Sequence, residues 1–112
     1  MNKYIDIVIY GATGFTGQLC MKYFQSLDLN IKWAIAGRNH EKLKTVANNY
    51  APDIEILVAD SDDEVGLKDI CSRSKVVLST AGPFHRYGSK LVNACVENET
   101  HYVDITGENF WV

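Results

Sequence analysis

Short β-branched runs and segments with the period of a helix alternate five times along this chain, and that alternation leaves few folds open. Residues 4–10 (Tyr-Ile-Asp-Ile-Val-Ile-Tyr) are followed by Gly11, as in a buried strand that ends in a turn. From about residue 14 to 27 the spacing becomes helical, with Leu19, Cys20, Tyr23, Phe24 and Leu27 expected on one apolar face. Residues 31–36 predict a second strand, stopped by Gly37. Asn39 is placed to cap a helix carrying Leu43, Val46, Ala47 and Tyr50 on one side, and Pro52 ends that region. Residues 54–59 predict the third strand. Ser61 and Glu64 then form a capping-box pattern ahead of a helix with Leu67, Ile70 and Cys71 inward. Residues 75–80 predict the fourth strand, a helix through Leu91, Val92, Cys95 and Val96 follows, and residues 102–105 make a short fifth strand.

The strands are near-continuous apolar runs, as a parallel sheet covered on both faces requires. The expected fold class is α/β: a doubly wound, mostly parallel, Rossmann-like sheet of order 3-2-1-4-5 in three α/β/α layers. A chain of 112 residues, 46% of them hydrophobic, fits one domain over residues 1–112 with a core. Two large aromatic neighbours, Phe110 and Trp111, stand just past the fifth strand. They read as a longer two-domain protein cut before a sixth strand and a substrate domain.

Charge and cysteine usage narrow the function classes. The formal charge is −3, with eleven basic residues scattered among fourteen acids, so no cationic surface for nucleic acid is expected. The three cysteines, Cys20, Cys71 and Cys95, show neither disulfide nor metal-ligand spacing. Buried, reduced thiols are the expectation, which suits a cytoplasmic location. No signal-peptide pattern and no membrane-length apolar run is present. Sheet edges laid bare by a cut would favour self-association into a homo-oligomer.

The candidate site begins at Gly11-Ala12-Thr13-Gly14-Phe15-Thr16-Gly17, between a predicted strand and a predicted helix. In that context the three glycines predict a dinucleotide phosphate loop. Gly11 permits the tight turn, Gly14 lets amides approach a pyrophosphate, and Gly17 lets helix and sheet pack closely. The helix N-terminus adds partial positive charge, and Thr13 and Thr16 can donate hydroxyl hydrogens. The absence of a following Gly-Lys-Ser/Thr excludes a Walker loop.

The second strand runs into Arg38-Asn39, with no acid to accept a ribose 2′-hydroxyl. A guanidinium at that place pairs with a 2′-phosphate and stacks on adenine, so NADP is expected ahead of NAD. Asp60 and Ser61 follow the third strand, where Asp60 either accepts from the adenine amino group or starts the next helix. Thr80, Ala81, Gly82 and Pro83 leave room across the switch point for ribose and nicotinamide, with Phe84 as a wall. His85, Tyr87 and His101 are acid–base candidates by type, but none has a partner at a diagnostic spacing. Asp104 and Glu108 follow the fifth strand, where they either face the nicotinamide pocket or are solvated. No catalytic residue and no metal site is assigned.

Residues 6–17, Ala36-Gly37-Arg38, residues 80–84 with Tyr87-Gly88, and Tyr-Val-Asp-Ile-Thr-Gly-Glu at 102–108 together resemble the saccharopine dehydrogenase-like oxidoreductases. The resemblance runs from Asp6 to Glu108. It implies an N-terminal NAD(P)-binding domain joined to a substrate domain, and hydride transfer to or from nicotinamide. The family is chemically diverse, so no substrate follows. A non-catalytic NADP sensor would carry the same loop, and so would an interaction domain with a vestigial one.

Overall fold

The computed structural model describes residues 3–27, 30–60, 62–80 and 84–104, with the backbone alone at 84–89 and 104. Five strands, β1 (Ile5–Tyr10), β2 (Trp33–Gly37), β3 (Glu55–Val58), β4 (Ser74–Ser79) and β5 (His101–Asp104), alternate with four helices. The helices are α1 (Phe15–Leu27), α2 (His40–Tyr50), α3 (Glu64–Arg73) and α4 (Phe84–Glu97). The strands form one sheet of order β3-β2-β1-β4-β5, every pair parallel. The sheet is therefore the Rossmann-like one expected.

The winding follows from that order. The chain steps outward from β1 to β3, then returns to β4 on the other side of β1. Its first two helices cover one face and its last two the other. Met21 of α1 and Leu43, Val46 and Ala47 of α2 pack with Ile9 and Ile35. Leu67, Ile70 and Cys71 of α3 and Leu91, Ala94 and Cys95 of α4 pack with Val8, Ala34, Leu57 and Val77. Successive strand residues thus feed opposite cores, the reason the strands read as unbroken apolar runs.

Three local expectations are corrected. The inward stripe of α1 is Gly17, Cys20, Met21 and Phe24, while Leu19 and Tyr23 are 51% and 60% exposed. Gly17 sets this phase: a Cβ there would lie 2.5 Å from the Gly11 carbonyl oxygen and 2.6 Å from Ala12 Cα. No side chain fits in that gap, so the Gly17 stripe is the one laid against the sheet. On α4, Ala94 is buried and Val96 is 71% exposed. The cap of α3 is Asp63, whose carboxylate accepts from the Gly66 amide at 2.9 Å. Glu64 is therefore the first residue of the helix rather than the closing member of a capping box, and Ser61 lies outside the described residues. Asn39 caps α2 as expected, accepting from Lys42 N at 3.0 Å.

Candidate functional site

Parallel strands end at the same edge, so Tyr10, Gly37, Val58 and Ser79 deliver their loops to one side of the sheet. The order reverses between β1 and β4, and a crevice opens there. The glycine loop leaves β1 at this point. Gly11 has φ 86°, a conformation that glycine adopts freely, and its amide donates to Ala36 O at 2.8 Å. The Gly14 amide turns back to Gly11 O at 3.2 Å, and Gln18 N donates to Gly14 O at 3.0 Å. Gly14 itself is exposed, and a Cβ on it would meet only Gly11 O, at 3.7 Å. Internal packing does not require glycine there. What a Cβ would fill is the space in front of the loop, as expected where a phosphate comes against backbone.

Electrostatics at this edge is uneven. The first turns of α2 and α3 carry Glu41 and Glu64, whereas α1 and α4, which flank the switch point, carry no acid there. The positive ends of those two helix dipoles are left uncompensated by their own first turns. Phe15 is 80% exposed beside the loop, and Thr16 is exposed with it. Arg38 is exposed past the end of β2, with no hydrogen bond or ion pair among the described residues.

Three of the expected site residues turn out to be fastened to the protein. The Thr80 hydroxyl donates to the carbonyls of Tyr10 (3.1 Å) and Gly11 (3.0 Å), and its amide donates to Tyr10 O at 2.8 Å. It clasps β4 to the start of the glycine loop. Asp60 takes Asp62 N on its Oδ1 at 3.2 Å, and its carbonyl takes Asp63 N at 2.9 Å. Its carboxylate therefore helps to shape the turn into α3. Asn39 uses its side-chain oxygen as the cap of α2.

Ser61, Ala81, Gly82, Pro83 and Glu108 lie outside the described residues, and so do the side chains of Phe84, His85, Tyr87 and Asp104. His101 opens β5, at the opposite edge of the sheet from the glycine loop. That position removes it from the acid–base candidates. Among the described residues no group of His, Cys, Asp and Glu could hold a metal ion, and no helix is long and apolar enough to cross a membrane.

Two supporting residues carry no motif. Tyr10, buried at the end of β1, donates its hydroxyl to Ala59 O at 3.0 Å and so ties β1 to the residue before Asp60. Burial, with Asp60 nearby, pushes its pKa up to about 12, while Arg38 acts the other way. Gln18 donates its side-chain amide to Thr13 O at 2.8 Å and accepts from the Tyr50 hydroxyl at 3.4 Å. The glycine loop is thus braced from α1 and α2. The usable signals were a hydroxyl on the last residue of a buried strand and an amide one turn past the second glycine.

A loop closed by glycine, two helix ends uncompensated by their own first turns and a guanidinium unpaired among the described residues, all at one sheet edge, define a dinucleotide-binding domain of the NADP type. The model of the saccharopine dehydrogenase NADP binding domain matches residues 7–110. The chain belongs to that family, and its cofactor is NADP. It is 41% identical over 110 residues to the trans-acting enoyl reductase of Mycobacterium ulcerans, covering 96% of this chain and 26% of that protein. It is 36% identical over 121 residues to the lipid droplet localized protein of Caenorhabditis elegans, covering 100% of this chain and 28% of that one. The chain spans about a quarter of the length of these curated relatives. Among solved structures, the L-Glu-forming saccharopine dehydrogenase of Saccharomyces cerevisiae superposes with a TM-score of 0.76 at 18% identity, over 89% of this chain and 21% of that chain. A short-chain dehydrogenase/reductase of Veillonella parvula in complex with NADP gives 0.70 at 14% identity, over 90% and 46%.

Proposed function

We propose that this chain is the cofactor half of an NADP-dependent oxidoreductase that transfers hydride to or from nicotinamide, joined in the parent protein to a domain that holds the substrate. When bound, NADP supplies the hydride chemistry; the protein binds it, orients it and tunes its surroundings. In this reading the amides at Phe15 and Thr16 take the pyrophosphate on the positive end of α1, in the space that the missing side chain of Gly14 leaves open, aided by the hydroxyls of Thr13 and Thr16. Ala12 and Gly17 hold helix and strand close enough for that approach. Arg38 pairs with the 2′-phosphate and, beside Asn39, lies along the adenine, while Asp60 and Ser61 border the adenine amino group. Thr80, Ala81, Gly82 and Pro83 make the floor for the nicotinamide ribose and ring. The reduced thiols and the length of the helices suit a cytoplasmic protein.

The observation that carries this reading is the fit at Gly14 and Arg38: an exposed glycine that the fold does not require, and, at the end of β2, a cation with no partner among the described residues. The test is calorimetric titration of the chain with NADPH, NADH and FAD, repeated on Arg38→Ala. NADPH binds most tightly, and the substitution weakens it about 10- to 100-fold while leaving NADH unchanged. Equal affinity for the two nicotinamide cofactors, or an unchanged preference after the substitution, removes Arg38 from its role. Binding of none of the three defeats the whole reading.

A further inference from the structure

On the face of the sheet covered by α3 and α4, Cys71 and Cys95 meet with their sulfurs 3.4 Å apart, one hydrogen-bonded to the other. Both are buried, and each sits in the last turn of its helix, α3 ending at Arg73 and α4 at Glu97. Cys20 lies on α1, against the opposite core, and cannot reach them. Nothing in the NADP reading uses this pair. We propose that Cys71 and Cys95 are a redox-active dithiol that closes to an intramolecular disulfide, pinning α3 to α4.

The geometry favours closure over any other oxidation product. A disulfide needs about 2.05 Å between sulfurs, so the pair must close by about 1.4 Å, within reach of small side-chain rotations. Helix ends open at the lowest free-energy cost, so an oxidant reaches the sulfurs by fraying of two last turns rather than by unfolding of the sheet. A charge stands close by. The Lys3 ammonium is held by the carbonyls of Cys71 (2.9 Å) and Ser74 (3.1 Å) and by the Thr100 hydroxyl (2.8 Å). Either thiol can donate to the other across this contact; burial opposes ionisation of both, and Lys3 assists it in both. With Cys95 as the attacking sulfur the disulfide forms as follows, and exchanging the two roles gives the same product.

With hydrogen peroxide as oxidant, the Cys95 thiolate attacks one oxygen. An S–O bond forms, the O–O bond breaks, and hydroxide leaves to take up a proton as water. The Cys71 sulfur then attacks the sulfenic acid. The S–S bond forms, the S–O bond breaks, and the departing hydroxide leaves with the Cys71 proton as a second water. The two sulfurs together lose two electrons and the peroxide gains them.

The test treats the native chain with hydrogen peroxide, alkylates the remaining thiols and maps peptides without reduction. The expected product has lost about 2 Da, carries a Cys71–Cys95 cross-link with Cys20 alkylated, and reverts with dithiothreitol. Its Tm rises by about 5 °C or more, because the cross-link closes a loop between two helices. Cys71→Ser and Cys95→Ser each abolish the cross-link, and the wild-type peptide map stands even if either variant folds poorly. A native chain whose Cys71 and Cys95 stay reduced while Cys20 oxidises overturns the proposal. So does a cross-link that forms only in denaturant, or one that runs through Cys20 between two copies.

Discussion

Where the strands begin, charged and polar side chains are tied to one another across the sheet. Asp6 accepts from the Lys32 amide at 2.8 Å and pairs with Lys75 at 3.0 Å. Tyr4 donates to Glu55 at 2.8 Å and accepts from Arg73, and Glu55 also faces Lys32 and Arg73 at 3.7 Å. Lys3, Thr100, Cys71 and Ser74 make a second knot beneath α3 and α4. Where the strands end, the surface ties among the described residues belong to α2, α3 and α4: the caps at Asn39 and Asp63, and Lys90 with Asp62 at 3.3 Å and Glu64 at 3.9 Å. Thr80, Gln18 and Tyr10 brace the loops from beneath. The exposed groups above them, Gly14, Thr16 and Arg38, are left for something else. The same parallel sheet thus has one edge laced across its strands and one where Gly14 and Arg38 stand clear of side-chain ties among the described residues, the edge we propose receives the cofactor. Most ties at the first edge lie at the surface, and only the knot around Thr100 is buried, where a polar group must find its partner within the protein.

Substitutions that separate fold from binding test this contrast. The largest effect is expected from Gly17→Ala. The new Cβ would press on the backbone of Gly11 and Ala12, neither of which can give way as a side-chain tip does. A loss of about 3 kcal/mol, seen as a Tm lower by roughly 10 °C, should accompany loss of NADPH binding. Retained affinity after this change would mean that the loop does not need its close approach to α1. At the opposite edge, Thr100→Val removes the hydroxyl that Lys3 and the Cys71 carbonyl share. It should cost about 2 kcal/mol in urea unfolding and leave NADPH affinity unaltered. A parallel loss of affinity would abolish the distinction between the two edges.

Tyr10→Phe is the mildest change and lies under the receptor edge. It leaves the Ala59 carbonyl without its 3.0 Å partner, at a cost of about 1 kcal/mol. It also alters the response to alkali. Because the folded chain holds the Tyr10 pKa at about 12, above the ordinary 10.0, the fold favours the neutral hydroxyl. That stabilisation is complete below pH 10 and is lost as pH rises through about 12. Unfolding followed across that window should be steeper for the native chain than for Tyr10→Phe. Identical curves would show that Tyr10 is not the group that responds.

Much of this could be read one residue at a time, and the failures share a cause. The helix α1 offers apolar residues at Leu19, Cys20, Met21, Tyr23 and Phe24, so periodicity admits two neighbouring stripes. Only contact with the Gly11 turn selects the Gly17 stripe, although counting three, four and seven from Gly17 would have found it. On α3, Ser61 and Glu64 matched a pattern, yet the Asp63 carboxylate accepts from the Gly66 amide and makes the cap. His101 looked like an acid–base candidate until the parallel register placed it at the wrong edge.

By itself the sequence determined the alternation of elements, the parallel sheet with its order, and the place of the glycine loop and Arg38. These rest on local matters: β-branched runs, helical period, and glycine where a turn needs φ above zero. The tertiary structure decided which face of α1 is buried, that Thr80 clasps the end of β4 to the glycine loop, and that Tyr10 ties β1 to Ala59 past β3. It also brought Cys71 to Cys95 across 24 residues of chain. Such contacts depend on how elements pack in three dimensions, and spacing along the chain carries no record of which side chains will meet.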